Sequence, residues 1–289
     1  MTERARWWCG MMIALMMGLY AGLIIPQEDA VLQAQPEAVP VFAAVEEQPL
    51  VEENLFIQPA ETPGFVIEVI QQEMPQLGRV LIYHTHTYEA FEQAEGDRYE
   101  ETEKWRTADN AHNMIRVGEE LAALLRSLGL EVIHDTTAFE PPVLSTAYTR
   151  SLTMLEKRKA AGEVYDLYID LHRDAYAASY GGANTVSVGG ADVARLMLLV
   201  GKGEGVTGQG YDVKPDWEAN LAIAQAITDD LNAQAPGLCR EVCLKPGRFN
   251  QHIAPACILV EAGNNRNTLA QVLAAMPYLA DAIAGVVGD

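Results

Sequence analysis

The sequence predicts an α/β domain, a mostly parallel twisted sheet flanked by helices, and three observations carry that expectation. The runs 80–83 (VLIY), 167–171 (LYIDL) and 256–260 (ACILV) are short and nearly continuous in apolar residues, the pattern of strands buried on both faces. Segments with apolar residues at helical spacing lie between them. Each run also hands a chemically active residue to its carboxyl end, the edge at which open α/β sheets bind ligands: His84 and His86 with Glu89 after the first, His172 after the second, Glu261 after the third.

Taken in order, Arg4 and Arg6 precede 7–25 (WWCGMMIALMMGLYAGLII), an uncharged stretch long enough to cross a hydrocarbon core as one helix. No small-x-small cleavage site follows it. It therefore reads as an uncleaved, single-pass anchor rather than a signal peptide, with 1–26 forming the cytoplasmic end and the membrane span, and the rest of the chain outside the cytoplasm. From Gln27 to Leu77 come repeated prolines, ten acids and neither lysine nor arginine. Such a segment repels itself and stays extended, a flexible acidic linker to a folded domain over 78–289; 65–70 (FVIEVI) is apolar enough to open that domain. The linker supplies about half of the formal net charge of −20. Without a basic stripe the protein cannot release counterions from phosphates, which excludes nucleic acid as a partner. The four cysteines do not form a disulfide framework for a domain of this size, although Cys239 and Cys243 are candidates to pair in an oxidising compartment; Cys257, in an apolar strand, reads as a core residue.

Inside the domain, 91–106 is polar and irregular. A helix is expected from Thr107 or Asp109 through about Ser127, where Met114, Val117, Leu121 and Leu125 recur on one face and Gly129 stops it. A strand at 130–134 (LEVIH) follows, then a helix from about Ser145 to Ala161 whose end carries Lys157, Arg158 and Lys159, a sequence suited to the negative end of the helix dipole. Beyond the 167–171 strand, 184–188 and the glycines around 189 suggest a β-hairpin leading into a central strand, RLMLLVG. The glycine-rich stretch 201–210 lacks the order of a phosphate cradle and reads as a mobile loop near the site. Pro215 and Asp216 introduce a helix from Trp217 to about Leu231, and a last helix spans 268–287.

Imidazole and carboxylate together suit catalytic zinc, which keeps three protein ligands and one open position. The pieces here are His84 or His86, Glu89 and His172. The ordinary alternatives are a polar loop after the first strand, and a buried His172 paired with Asp170 or Asp174. Glu261 follows a fully apolar strand, where burial raises a carboxyl pKa toward the range of a general base. Its alternative role, capping the last helix, can be filled by Asn265 or Asn267.

The segments YHTHTYEAF, WRTADNAHNMIRVGEEL, YTRS, DLHRDA, WEANL, RFNQHIAP and LVEAGNN, in this order from Arg79 to the C-terminus, resemble the stage II sporulation protein P family of endospore-forming bacteria. The resemblance implies a membrane-anchored, zinc-dependent peptidoglycan hydrolase with a zinc amidase-like fold. Such enzymes cut the amide between N-acetylmuramic acid and L-alanine, and also peptide cross-bridges, while the mother cell engulfs the forespore. Carried onto this chain, it implies His86 or His84, Glu89 and His172 as zinc ligands, with His86 favoured, and Glu261 as acid/base; the mechanism then expects Arg173 or Asn250 to help zinc hold the oxyanion. It also implies partners in an engulfment complex, among them a lytic transglycosylase and a polytopic membrane protein. His252 stands where the family usually carries an acid. A zinc D,D-carboxypeptidase acting on stem peptides and a non-catalytic wall-binding scaffold are the alternative readings.

Overall fold

The computed structural model describes residues 78–176, 183–205 and 212–288. The expected anchor at 7–25, the linker at 27–77 and residues 206–210 of the glycine-rich stretch lie outside them. Strand β1 (Arg79–Tyr83) pairs in parallel with β2 (Glu131–His134) on one side and β3 (Leu167–Asp174) on the other, and β8 (Cys257–Asn264) runs parallel to β3. The sheet then becomes mixed: β6 (Leu196–Gly201) is antiparallel to β8 and parallel to the short β7 (Cys243–Lys245). The order β2-β1-β3-β8-β6-β7 puts β3 and β8 at the centre. The expected hairpin is formed by β4 (Thr185–Val188) and β5 (Ala191–Ala194) as a separate two-stranded sheet. Strand β6, expected to be central, is second from an edge, although all its residues are buried or nearly so.

One face of the sheet carries α1 (Met114–Ser127), α3 (Trp217–Gln234), α4 (Leu269–Leu273) and α5 (Met276–Val287). Ile82, Ile169, Leu171, Leu198, Val200, Ile258 and Val260 meet Val117, Leu121, Ile227, Leu279 and Ile283 in one core, where a fully buried Leu or Ile contributes roughly 1.5–3 kcal/mol. The residues 269–287 are long and apolar enough to cross a membrane by composition, yet Met276, Leu279 and Ile283 are wholly buried in this core. On the other face, α2 (Ala147–Ala160) covers Leu81, Tyr83, Tyr168 and Cys257 through Leu152 and Leu155. Met197 and Leu199 belong to neither cluster and line an open cavity.

Helix boundaries depart from the pattern for local reasons. Helix α1 starts at Met114 because Thr107 Oγ1 donates to Glu100 O, Asp109 accepts from Ala111 N in a tight turn, and Asn113 is left to cap the helix by accepting from Ile115 N at 2.9 Å. The last helix is two helices. Its cap is neither Asn265 nor Asn267 but Thr268, in a reciprocal capping box with Gln271. Cys239 and Cys243 are free, and Cys239 Sγ instead lies 3.7 Å from Thr228 Oγ1.

Gly118 shows tertiary packing overriding helix propensity. Ala is favoured over Gly inside a helix by about 1 kcal/mol, so Gly118→Ala would stabilise an isolated α1. Here a Cβ would stand 2.5 Å from Nε2 of both the buried His84 and the half-buried His134, two rings locked by their mutual bond. The expected outcome is a loss of about 1–3 kcal/mol, and a melting temperature lower by several degrees in a thermal unfolding scan.

Candidate active site

Strand alternation and register assemble the site. In the β3–β8 pair, His172 stands directly beside Glu261, so both side chains leave the sheet on the α2 face. The turn after β1, fixed by Thr87 Oγ1 donating to His84 O and by Glu89 N donating to His86 O, delivers His86 and Glu89 above them. The His86 and His172 rings meet edge to face with centroids 5.2 Å apart, and His172 Nδ1 lies 3.7 Å from Glu89 Oε2. Glu89 Oε2 accepts from Arg173 N at 3.2 Å. Glu261 Oε2 is buried without a hydrogen-bond partner among the described residues, as is His86 Nδ1, which lies 3.7 Å from Glu140 Oε1.

Asp170 supports this cluster from beneath. Its Oδ1 takes Thr85 N at 2.8 Å and stands 2.8 Å from His172 Nε2, and its Oδ2 accepts from Thr85 Oγ1 at 2.7 Å. Burial pushes the Asp170 carboxyl up, but the His172 charge and these donors outweigh it and hold the group below the usual range. Burial pulls the His172 imidazole down; Asp170, then Glu89 and Glu261, reverse that and raise it to about 9. Glu261 is raised to about 8, chiefly by burial, with His172 opposing and Glu89 and Asp174 adding to the shift. The His86 imidazole is lowered to about 4 by burial and by the neighbouring His172.

Other residues expected at the site are elsewhere. His84 points to the α1 side: Nδ1 is 2.9 Å from Leu171 O, so it carries the proton, and Nε2 accepts from His134 Nε2 at 2.8 Å. With both nitrogens engaged and burial lowering it to about 3, it is turned away from His86. Arg173, expected at the oxyanion, alternates to the opposite side of β3 from His172. Its guanidinium donates to Ala90 O at 3.0 Å and Trp105 O at 3.2 Å, fastening the loop that carries Glu89. Asn250 is likewise engaged, donating to Tyr148 O at 2.9 Å and Ser151 Oγ at 3.0 Å. His252 is half-buried near Arg248 and Lys159, which add to burial in lowering its imidazole to about 4.

Three residues join the cluster, of which the sequence offered only Asp170, as the partner of His172 in its alternative reading. The half-buried Tyr148 ring lies 5.5 Å from His86 and is stacked 6.3 Å from His172, and burial together with Asp170, Glu261 and Glu89 keeps its phenol protonated. Asp170 and Glu140 are the others. Glu140 pairs with Arg106 and accepts from Tyr88 N at 3.2 Å, bracing the histidine turn. The segments YTRS and DLHRDA contain two of these three, but nothing in their spacing gives the roles.

Among the described residues no three His, Cys, Asp or Glu side chains close as ligands on a common point. The donor chemistry nevertheless fits a divalent cation. Two imidazoles and two carboxylates stand together, His172 and Glu89 buried and His86 and Glu261 half-buried, with unpartnered Glu261 Oε2 and His86 Nδ1, and the carboxylates around His172 favour positive charge at its ring. Asp170 on His172 Nε2 leaves Nδ1 toward Glu89, the arrangement by which an outer carboxylate orients a metal-binding histidine.

A family model described as "Stage II sporulation protein P (SpoIIP)" matches residues 33–284. A comparison with curated proteins found no match. Among solved structures, the catalytic domain of the CD27L endolysin targeting Clostridia difficile is similar at 16% identity and a TM-score of 0.44, over 73% of this chain and 96% of that one. The CwlD amidase from Clostridioides difficile, in complex with the GerS lipoprotein, is similar at 12% identity and 0.43, over 73% and 94%. The N-acetylmuramoyl-L-alanine amidase AmiC2 of Nostoc punctiforme is similar at 14% identity and 0.41, over 73% and 95%.

Proposed function

Because the chain belongs to the stage II sporulation protein P family, we propose that it is a peptidoglycan hydrolase of sporulation that cleaves the amide joining N-acetylmuramic acid to L-alanine, and with it peptide cross-bridges. The observation that carries this reading is the buried, unpartnered carboxyl oxygen of Glu261 beside His172, facing a histidine and a glutamate delivered by another strand. His86, Glu89 and His172 are the residues that would hold a zinc ion, with Asp170 fixing the His172 ring. A bound zinc supplies Lewis-acid polarisation of a carbonyl and an acidified water.

The chain's own residues do the remainder. Glu261, kept out of water, takes a proton from the attacking water at one carboxyl oxygen and returns it to the departing amine. Tyr148, held as a neutral phenol, donates a hydrogen bond to the carbonyl oxygen as charge develops there. Arg173 keeps Glu89 in place through its backbone bonds and stays out of the reaction. The uncharged stretch at 7–25 and the acidic linker support an enzyme anchored in the membrane and reaching into the wall from the extracytoplasmic side, in company with other membrane proteins of engulfment.

Mass analysis of products released from purified peptidoglycan tests the reading. Whole stem peptides with free L-alanine amino termini are expected, and dialysis against a chelator is expected to stop their release until zinc is restored. Release of terminal D-alanine alone would replace the amidase reading with a carboxypeptidase.

A further inference from the structure

The sheet face that α2 leaves bare leads away from the candidate active site. Over the β6–β7 edge it forms a cavity of about 480 Å³ with Glu261 in its wall and Met197 and Leu199, nearly buried, as its floor. The register sets its length. Met197 pairs with Glu261, and Lys245 pairs with Gly201, six positions along β6 from Arg195, so Arg195 and Lys245 stand roughly 20 Å apart with Glu261 between them and nearer Arg195.

In a chain of net charge −20, Arg195 and Lys245 both line this cavity. Among the described residues the Arg195 guanidinium donates only through Nε, to Gly237 O at 2.8 Å, and the Lys245 ammonium has no partner. The third cation, Arg240, is held by Asp174. An apolar floor between two separated cations, open at a sheet edge, matches an extended peptide bearing spaced carboxylates. A dense polyanion fits less well, because Asp174 and Glu241 also line the cavity and would repel it.

We propose that this cavity is the stem-peptide subsite: an acidic peptide whose amino-end amide lies at Glu261 extends along β6 to place a distal carboxylate on Lys245, while Arg195, on the other side of Glu261, takes a carboxylate that branches from the peptide near its amino end. The proposal rests on the hydrolase reading for its substrate and adds to it the carboxylates as the recognised groups.

The full chain is assayed on a muramoyl tripeptide with free carboxylates and on the same tripeptide with its carboxylates amidated. Arg195→Gln and Lys245→Gln are each expected to lose roughly three- to tenfold in kcat/KM on the free form, mainly through KM, and to lose the preference over the amidated form. Lys245→Arg is expected to recover it. Arg195→Gln removes a bond to Gly237 and is checked for folding, whereas Lys245 is exposed and its variant carries the test if Arg195→Gln unfolds. Equal losses on both tripeptides, or none on either, overturn the proposal. Calorimetric binding of the free tripeptide to the Glu261→Gln chain separates this subsite from the chemistry. Binding that weakens with Lys245→Gln supports the subsite even if no substrate is ever turned over, and binding indifferent to that change overturns it. Preferential, Lys245-dependent binding of a glycerol phosphate polymer instead of the tripeptide also overturns it.

Discussion

Glu261→Gln is expected to abolish release of stem peptides from peptidoglycan, by a factor on the order of 10²–10⁴ in kcat, while leaving the fold intact. The reason lies in the register of two central strands. Glu261 stands beside His172 on the α2 face, half-buried, with one buried carboxyl oxygen free of any hydrogen bond among the described residues. Burial holds that carboxyl up to about 8, so the protonated form that glutamine mimics is the one the enclosure tolerates best. Glutamine fills the same volume and removes only the proton transfer. Melting temperature is therefore expected to stay the same or rise slightly, and zinc content by metal analysis to stay near that of the parent chain. A variant that retains full wall lysis would sink the acid/base role. A chain that loses lysis together with its cooperative unfolding would show Glu261 to be structural.

The second large effect is expected at Asp170, and it divides by substituent. Asp170→Ala strips the partner from His172 Nε2, Thr85 N and Thr85 Oγ1 at once, all in a buried setting. Breaking one side of a buried ion pair costs about 3–5 kcal/mol, or on the order of 10 °C for a domain of this size. Asp170→Asn keeps an oxygen for His172 and Thr85 N. Its amide can donate to Thr85 Oγ1, whose single proton is then free to turn to Ser151 Oγ, 2.8 Å away. This variant is expected to fold, with a smaller loss of melting temperature, but to bind zinc about 10- to 100-fold more weakly, because a neutral amide no longer orients or polarises the imidazole as a carboxylate does. Competitive titration against a coloured chelator reads that affinity directly. Equal zinc affinity in the Asn variant would confine Asp170 to holding the fold.

Residues that meet at the site could be read along the chain where strand chemistry is local. A continuous apolar run ending in His172 or Glu261 states both that a strand exists and that something polar waits at its end, because solvation alone gives no reason for those residues there. Asp170 was visible as a partner for His172, but its bonds to Thr85, eighty-five positions away, were not. Between His84 and His86 the chain offered two imidazoles. The choice depends on the turn after β1 and on α1, which places His134 and Gly118 against His84. Arg173 was misread for a related reason: the pattern marked the end of an apolar run, whereas β3 continues through Asp174 and its alternation turns the guanidinium to the other side.

By itself, the sequence determined that apolar runs alternate with amphipathic segments, that polar ligand-type residues follow those runs, and that a membrane-length apolar stretch and an acidic, proline-containing segment come before them. Hydrophobic burial and chain stiffness act over a few residues, so such features can be read from neighbours alone. The tertiary structure decided that β6 runs against β8, that His172 and Glu261 share a register, and that one half of a sheet face stays open between Arg195 and Lys245. Strand direction, register and helix coverage are set by packing between segments far apart in the chain, and no local pattern encodes them.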